Sequence, residues 1–516
     1  MNTCRITIMP DNNVLHHDSG TLLMDILEEA GVPVIAPCGG RGNCGKCAVK
    51  AEGKLSQMTD AEIRLLGANT ELRLACQARV LGDVTVYIES IDKKAYFEYP
   101  EADPASKYGI AVDIGTTSVQ ISMTDLGSGD SFMIDSFLNP QRRFGHDVVA
   151  RISSSTDTGT NEKLIRLIRS DISNAITGAL KATGIPGPSV KNVVLSGNTT
   201  MLYYLFGIDV QPLGVHPYLA ETMDFSGYTP ADIGLDLPDK TEVYAFPVAS
   251  AYLGGDFTGG LALIDRLGHK KNTFFIDLGT NGEMFLRNSK NRIYATSCAM
   301  GPALEGMNIS CGMTAGRGAV NHIWTENKAL YHSIIKSPLA TGICGTGIID
   351  AIAIMIRDVV LLKNGAFNKY YTEENMFPIP DITYNAEEKS MYFTDRVYIS
   401  QKDIRNIQLA KGASLSASEI LLKEAGCDPK DIEHVFIAGA FGENLNIQNF
   451  RTLRFIPNFP AADYTFLGNT SLKAAETACR EKSFRKKAAK LRSQVQVVEL
   501  SDHPDFNDTF MKCLDF

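Results

Sequence analysis

The sequence predicts a multidomain chain, with a small α+β unit at the N-terminus and a larger two-lobed α/β unit after it. Three observations carry that prediction. The first ninety residues combine period-two strand patterns with a glycine-rich loop holding three cysteines, "APCGGRGNCGKC" (36–47). A charged, proline-bearing stretch, "IDKKAYFEYPEADPASK" (91–107), separates them from the rest. Beyond it, one pattern occurs twice: an apolar strand, then D-[IL]-G-T-[TN], then another strand. Its aspartates, Asp113 and Asp277, stand 277 − 113 = 164 residues apart, too far for a short solenoid repeat and suited to two related halves of one fold.

The bulk numbers set the limits. A chain of 516 residues has room for two to four domains. Its formal net charge of -9 argues against a nucleic-acid binder, which usually shows a basic face. The opening "MNTCRITIMPDNN" lacks the apolar run of a signal peptide, and no window approaches the roughly 18 apolar residues of a membrane span. A cytoplasmic location, away from the membrane, is therefore expected. Eleven cysteines, an odd number, make a poor disulfide framework in such a compartment. Five of them (Cys4, Cys38, Cys44, Cys47 and Cys76) crowd into the first 76 residues, and that points to a metal.

In chain order, "CRITIMP" reads as a strand and "TLLMDILEEAGV" as a helix with Leu22, Leu23, Ile26 and Leu27 on one face and Gly31 to end it. "KCAVKAEG" and "DVTVYIES" are further strands. The unit spans 1–90, 91–107 is a linker, and a new domain over 108–516 opens with "YGIAVDIGTTSVQISM". Helices are expected over "NEKLIRLIRSDISNAITGALKATG", "GTGIIDAIAIMIRDVVLL" and "QKDIRNIQLAKGASLSASEILLKEAG", and the second half opens at "TFFIDLGTNGEMFLR".

Cys38, Cys44 and Cys47 follow the spacing C-x5-C-x2-C, and Cys76 arrives after 28 further residues on what reads as a distant strand. Structural zinc usually takes two close pairs, and here there is only one. Three ligands on one loop and a lone fourth resemble a ferredoxin-type [2Fe–2S] arrangement, although the plant-type first gap is four residues. Gly39, Gly40, Gly42 and Gly45 let the backbone wrap closely and point N–H groups at sulfur. Inert buried cysteines and a zinc site remain the alternatives, with Cys4 structural.

The repeated loops suit phosphate. Glycine admits a phosphate to backbone N–H groups, threonine adds a hydroxyl, and a strand-end aspartate can hold Mg²⁺ through water. "DIGTT" offers Asp113, Gly115, Thr116 and Thr117; "DLGTN" offers Asp277, Gly279, Thr280 and Asn281. "HVFIAGAFG", with Gly439 and Gly442, is an apolar strand entering a glycine turn against which an adenosine could lie. "LSGNTTM" and "TGICGTGIID", the latter with Gly345, are similar joints, each also readable as a helix cap. No G-x-x-x-x-G-K-[ST] occurs, so this is not a P-loop protein.

Together with "NPQRRFGHDVVARI", "GPALEGMNI", "SQKDIRNIQLAKGA" and "IAGAFGENL", these segments resemble the reductive activators of corrinoid-dependent enzymes over nearly the whole chain. The resemblance implies a β-grasp ferredoxin-like domain followed by a two-lobed domain of the ASKHA (actin/Hsp70/sugar-kinase-like) type. It implies one-electron, ATP-dependent reduction of inactive Co(II) to Co(I) in a corrinoid-dependent methyltransferase system. Cys38, Cys44, Cys47 and Cys76 would hold the [2Fe–2S] cluster. Asp113 and Asp277 would position Mg²⁺ and ATP. Gly115, Thr116, Thr117, Gly279, Thr280, Asn281 and Gly345 would bind the nucleotide, and Gly439 and Gly442 would border its adenosine. A corrinoid protein and an external low-potential electron donor are the implied partners, and a homodimer is left open. Two departures stand out. Some relatives carry a larger domain where this chain has a short linker. The chain also lacks a D-x-H-x-x-G corrinoid motif, so the corrinoid would sit on another protein.

For the hydrolytic base, Glu305 in "GPALEG" and Glu283 in "TNGEM" are candidates, each equally readable as a structural hydrogen-bonding residue. "REKSFRKKAAKLRSQ" reads as a solvated helix face before a docking patch. Cys298, Cys311 and Cys344 read as small buried residues before a second metal site, and Trp324 has no assignable role. Two rival functions stay in view: a small-molecule kinase with a regulatory cluster, and an ATP-gated interaction module with a structural one.

Overall fold

The computed structural model describes residues 3–9, 12–30, 32, 34, 42, 47–67, 71–88, 99, 106–145, 147–269, 271–374, 377–439 and 445–516. Cys38, Cys44, Gly442 and most of the expected linker lie outside the described residues. In the first unit, five strands lie in the order Asn13–Asp18, Thr3–Met9, Val80–Tyr87, Ala48–Leu55, Leu72–Leu74. Only the central pair, Thr3–Met9 with Val80–Tyr87, is parallel, an arrangement of the β-grasp kind. Alternate residues Ile6 and Ile8 face inward against Leu23, Ile26 and Leu27 of the helix Leu23–Glu29.

A short helix, Asp60–Leu66, is closed by a capping box between Thr59 and Glu62. The Glu62 carboxylate is fully buried and accepts from Arg73 Nε (2.9 Å) and from the Leu74 amide (3.0 Å). That buried pair fixes the strand Leu72–Leu74 immediately before Cys76. Cys76 itself lies on the turn after the strand, a correction to its expected place on one. The carbonyl of Leu74 accepts from the amides of both Gln77 and Ala78, which bends the chain there.

The second unit contains two sheets of matching design. In the first lobe the order is Glu242–Ala245, Val190–Gly197, Tyr108–Ile114, Ser118–Asp125, Ser131–Leu138. In the second it is Asp463–Gly468, His434–Ala438, Thr273–Leu278, Asn281–Arg287, Ile293–Ala299, with Val495–Val497 added at the edge. Each places an antiparallel meander of three strands beside two parallel strands. The repeated D-G-T pattern therefore marks the same strand of each sheet.

Helix Gly255–Arg266 follows the fifth strand of the first lobe, and Thr470–Arg480 follows that of the second. They pack on each other between the sheets, in a core that mixes Ala111 and Val194 of one lobe with Phe275, Phe285 and Phe436 of the other. Gly259 makes the close approach possible, because a Cβ there would come 3.0 Å from that of Ala474.

Two long helices match the periodicity, Thr158–Thr183 and Gln401–Ala425. The second buries Lys411, whose Nζ donates to the carbonyls of Cys513 (2.7 Å) and Asp515 and so anchors the final turn of chain. The helix expected to run through "RDVVLL" stops at Arg357. Val359 instead takes a left-handed conformation (φ 58°) and Leu361 pairs with Phe367. The apolar run continues into a tight turn, which periodicity alone does not register.

Candidate functional site

The two D-G-T loops end their strands side by side. Gly115 N–H donates to the Ser118 carbonyl (2.9 Å) and Gly279 N–H to the Asn281 carbonyl (3.1 Å), closing both turns. They face each other across a cavity of about 460 Å³, with Thr117 and Thr280 hydroxyls 3.4 Å apart. Asp113, Gly115, Thr116, Asp277, Gly279, Asn281, Gly345 and Gly439 all line this cavity. Gly439 turns at φ 110°, and a Cβ there would meet the Leu278 carbonyl at 2.3 Å, so the strand end His434–Ala438 lies directly against the second loop. Asn198 and Cys344 cap the helices Thr199–Phe206 and Gly345–Arg357. Both joints are thus helix caps and cavity walls at once.

Three groups hold the first loop from behind. Asn198 Nδ2 donates to Thr116 Oγ1 (2.8 Å), Asn139 Nδ2 to the Gly115 carbonyl (2.8 Å), and Arg151 to the Thr116 carbonyl. Arg151 is completely buried, and lost solvation with the nearby Arg142 charge pulls its guanidinium down to about 9.

At the cavity floor the aspartates differ. Asp113 accepts from Ser471 Oγ (2.6 Å) and from Asn469 Nδ2 (2.6 Å), both at the start of helix Thr470–Arg480. Burial raises its carboxyl, and these two donors oppose the rise. Asp277 faces acids instead. Burial, then the charges of Asp256 and Asp113, push it up to about 7 against a weaker opposing pull from the Thr470 side chain. Burial and Asp113 push Asp256 to about 7 as well, and burial with Asp256 and Asp277 drives Glu283 well above the ordinary range. Carboxylates crowded in this way repel one another until a cation joins them. Among the described residues no three His, Cys, Asp or Glu side chains approach closely enough to chelate a metal directly. A cation held through its own water would relieve that crowding.

Asp256, Asn469, Ser471 and Asn198 are the site residues that the sequence reading missed. A second echo marks the first three: "LGGDF" (253–257) comes after one fifth strand, "LGNTS" (467–471) begins at the end of the other, and each opens the interlobe helix. Asp256 and Ser471 both stand two residues past the helix cap.

Of the two base candidates, Glu283 belongs to the acidic floor. Glu305 instead accepts from Thr117 Oγ1 (2.5 Å) and Thr280 Oγ1 (2.6 Å), one hydroxyl from each lobe.

In the first unit, Cys47 and Cys76 are buried with their sulfurs 3.2 Å apart. The Cys47 thiol, Gln77 and the Gly42 amide pull the Cys76 thiol down to about 6 against the opposing effect of burial. A low-lying thiol that receives hydrogen bonds, next to a second sulfur, suits an iron ligand, since the thiolate is the binding form.

The remaining candidates do not converge. Cys298 is buried in its sheet with its thiol raised by desolvation, Cys311 donates to the Tyr398 carbonyl (2.9 Å), and Cys344 is the helix cap already described. The basic run forms helix Lys482–Arg492, with Arg485 buried and paired to Glu242 (3.1 Å) and Lys487 paired to Asp265 (2.8 Å). Trp324 stacks on Tyr331 along an exposed hairpin.

A ferredoxin-like iron–sulfur domain joined to an ASKHA-type ATP-binding domain is the class that this fold defines. Residues 6–81 match the 2Fe-2S iron-sulfur cluster binding domain family, residues 108–267 the RACo middle region, and residues 271–516 the C-terminal domain of RACo, the ASKHA domain. The chain is 31% identical over 420 residues to the corrinoid activation enzyme RamQ of Eubacterium limosum, covering 78% of this chain and 69% of that one. It is 26% identical over 415 residues to the [Co(II) methylated amine-specific corrinoid protein] reductase of Methanosarcina barkeri, covering 73% and 70%. A solved reductive activator for corrinoid,iron-sulfur protein shares the fold at a TM-score of 0.70 and 24% identity, over 99% of this chain and 98% of that one. The chain belongs to the family of reductive activators of corrinoid proteins. Among the described residues no helix is long and apolar enough to cross a membrane.

Proposed function

We propose that this chain reduces the inactive Co(II) corrinoid of a partner protein to Co(I) in an ATP-dependent step that restores a corrinoid-dependent methyltransferase system. The observation that carries the reading is the joining, in one chain, of a buried pair of thiols 3.2 Å apart with a cleft where two matched loops bring threonine hydroxyls together. Residues 1–90 are the electron-carrying unit, 91–107 a linker and 108–516 the ATP unit. Cys38, Cys44, Cys47 and Cys76 hold a [2Fe–2S] cluster, which when bound supplies single electrons. An external low-potential donor replaces each electron spent. The setting is cytoplasmic.

In the cleft, Thr117 and Thr280 offer hydroxyls to phosphate, and the two glycine turns leave room for it to approach. Asp277 and Asp113 position Mg²⁺ through water, with Asp256 adding charge beside them. Gly345 borders the nucleotide, and Gly439 and Gly442 leave bare backbone for adenosine. The partner's corrinoid is the substrate: Co(II) gains one electron to become Co(I), while ATP and water become ADP and phosphate.

Redox arithmetic supports a need for ATP. Plant-type [2Fe–2S] centres lie near about −400 mV, and the Co(II)/Co(I) couple is expected to lie lower. Each ~59 mV uphill costs a factor of ten for one electron. Closure of the two lobes on nucleotide gives the protein a second conformation through which binding can bias a partner complex. The test is anaerobic: reduced protein is mixed with candidate Co(II) corrinoid proteins, with and without MgATP, while cobalt absorption is followed. Co(I) formation that depends on ATP is expected. Formation of a phosphorylated small molecule, with no change at cobalt, would defeat the reading.

A further inference from the structure

We propose that Glu305 is a displaceable stand-in for a phosphate group, a latch that nucleotide must dislodge to occupy the cleft. The inference rests on reading the cleft as an ATP site and concerns how that site is regulated. A threonine hydroxyl has one proton to donate. Thr117 and Thr280, the two hydroxyls best placed to greet a phosphate, both direct theirs to Glu305 (2.5 and 2.6 Å). A phosphate oxygen between the loops needs the same protons, so the two anions exclude each other. Glu305 also has a cation at hand, because the Arg142 guanidinium lies within electrostatic reach of its carboxylate. With both oxygens turned to the loops, Glu305 is arranged as a ligand of the hydroxyls rather than as a base facing water.

The turn that carries Glu305 has a glycine joint at each end, although Ala303 and Leu304 beside it are buried. The turn Pro302–Glu305 is flanked by Gly301 (φ 71°) and Gly306 (φ 79°), both in the left-handed region. Beyond this turn the chain is pinned: Ser310 N–H donates to Asp403 Oδ1 (2.8 Å), and Cys311 Sγ to the Tyr398 carbonyl (2.9 Å). Asn406 Nδ2 already holds the Asn308 carbonyl (2.6 Å) and Ile309 is buried, so movement on release is confined to residues 301–307. The Leu304 carbonyl sits where a Cβ on Gly345 would be 2.0 Å away, so the turn rests on the start of helix Gly345–Arg357. Dislodging Glu305 would carry nucleotide occupancy from the loops to that helix.

Isothermal titration of the iron-loaded protein with Mg·AMPPNP, on wild type, E305A and E305Q, tests the proposal. E305A is expected to bind about tenfold tighter, and E305Q, which keeps the shape and one acceptor, to fall between. Hydrogen exchange over 301–307 is expected to rise when Mg·AMPPNP is added to wild type, and to be already high in nucleotide-free E305A. Unchanged or weaker binding by E305A and E305Q, with wild type binding normally, would overturn the latch. If no form of the protein bound Mg·AMPPNP, the ATP reading itself would fall, a separate and distinguishable result.

Discussion

The two D-G-T loops stand at the same position in sheets of the same strand order, yet their aspartates live in opposite surroundings. Each meets the first turn of an interlobe helix. At Asp113 that turn offers a hydroxyl and an amide donor, Ser471 and Asn469, both at 2.6 Å. At Asp277 it offers another acid, Asp256. One half of the duplicated fold thus holds its aspartate with donors, while the other crowds its aspartate with acid. Fold symmetry supplies the geometry, and the side chains at two helix starts divide the labour.

The largest expected effect separates the halves by activity. Asp277→Asn is expected to lower ATP hydrolysis by about 10²-fold, because it removes the charge that draws the cation, while folding stays intact or improves as the acids repel less. Hydrolysis within a few-fold of wild type would break the comparison.

A pH titration comes next. Asp256 and Asp277 are held up to about 7 in the folded protein, against about 4 in an unfolded chain. Between these values the folded state binds more protons, so stability is greatest at the acid end and falls as pH rises through about 7. The melting temperature of nucleotide-free protein in chelator should decline between about pH 4.5 and 7.5 and level off above that. Asp256→Asn should flatten that decline, and Mg²⁺ should restore more stability at the upper end than at the lower. The same slope in the variant as in wild type would count against the acidic floor.

Asp113→Asn addresses the other half. Ser471 and Asn469 both donate to this carboxylate, so an amide leaves a donor facing donors. A loss of about 1–3 kcal/mol in unfolding free energy is expected, the opposite sign to Asp277→Asn; equal stability of the two variants would erase the asymmetry. The smallest effect belongs to Asn469→Ala, which removes a helix cap on the Leu472 amide (2.8 Å) along with the bonds to Asp113 and Gln120. About 1 kcal/mol is expected from urea unfolding, with nucleotide affinity changed only a few-fold.

How much of this was legible follows from the distance over which each feature is written. The D-G-T loops carry their own strands and glycines, so one short window announces each and the repetition announces the pair. Thiol spacing is equally local for Cys38, Cys44 and Cys47. Asp256 was missed because its signal is positional. A single acid after two glycines means little until "LGGDF" and "LGNTS" are seen to open equivalent helices. The bridging role of Glu305 is not local at all: its partners lie 188 and 25 residues away and belong to different lobes. Beyond Arg357 the apolar run "VVLL" looks helical by composition, and only the left-handed turn at Val359 shows otherwise.

The measurement that tests the account most directly is an anaerobic single-turnover experiment. Protein carrying one reduced cluster per chain is mixed with a Co(II) corrinoid protein of its methyltransferase system, and Co(I) is counted by absorbance with and without MgATP. One Co(I) per cluster with MgATP, and a small fraction of that without it, is the predicted result. The same yield in both would contradict the coupling of the cleft to electron transfer.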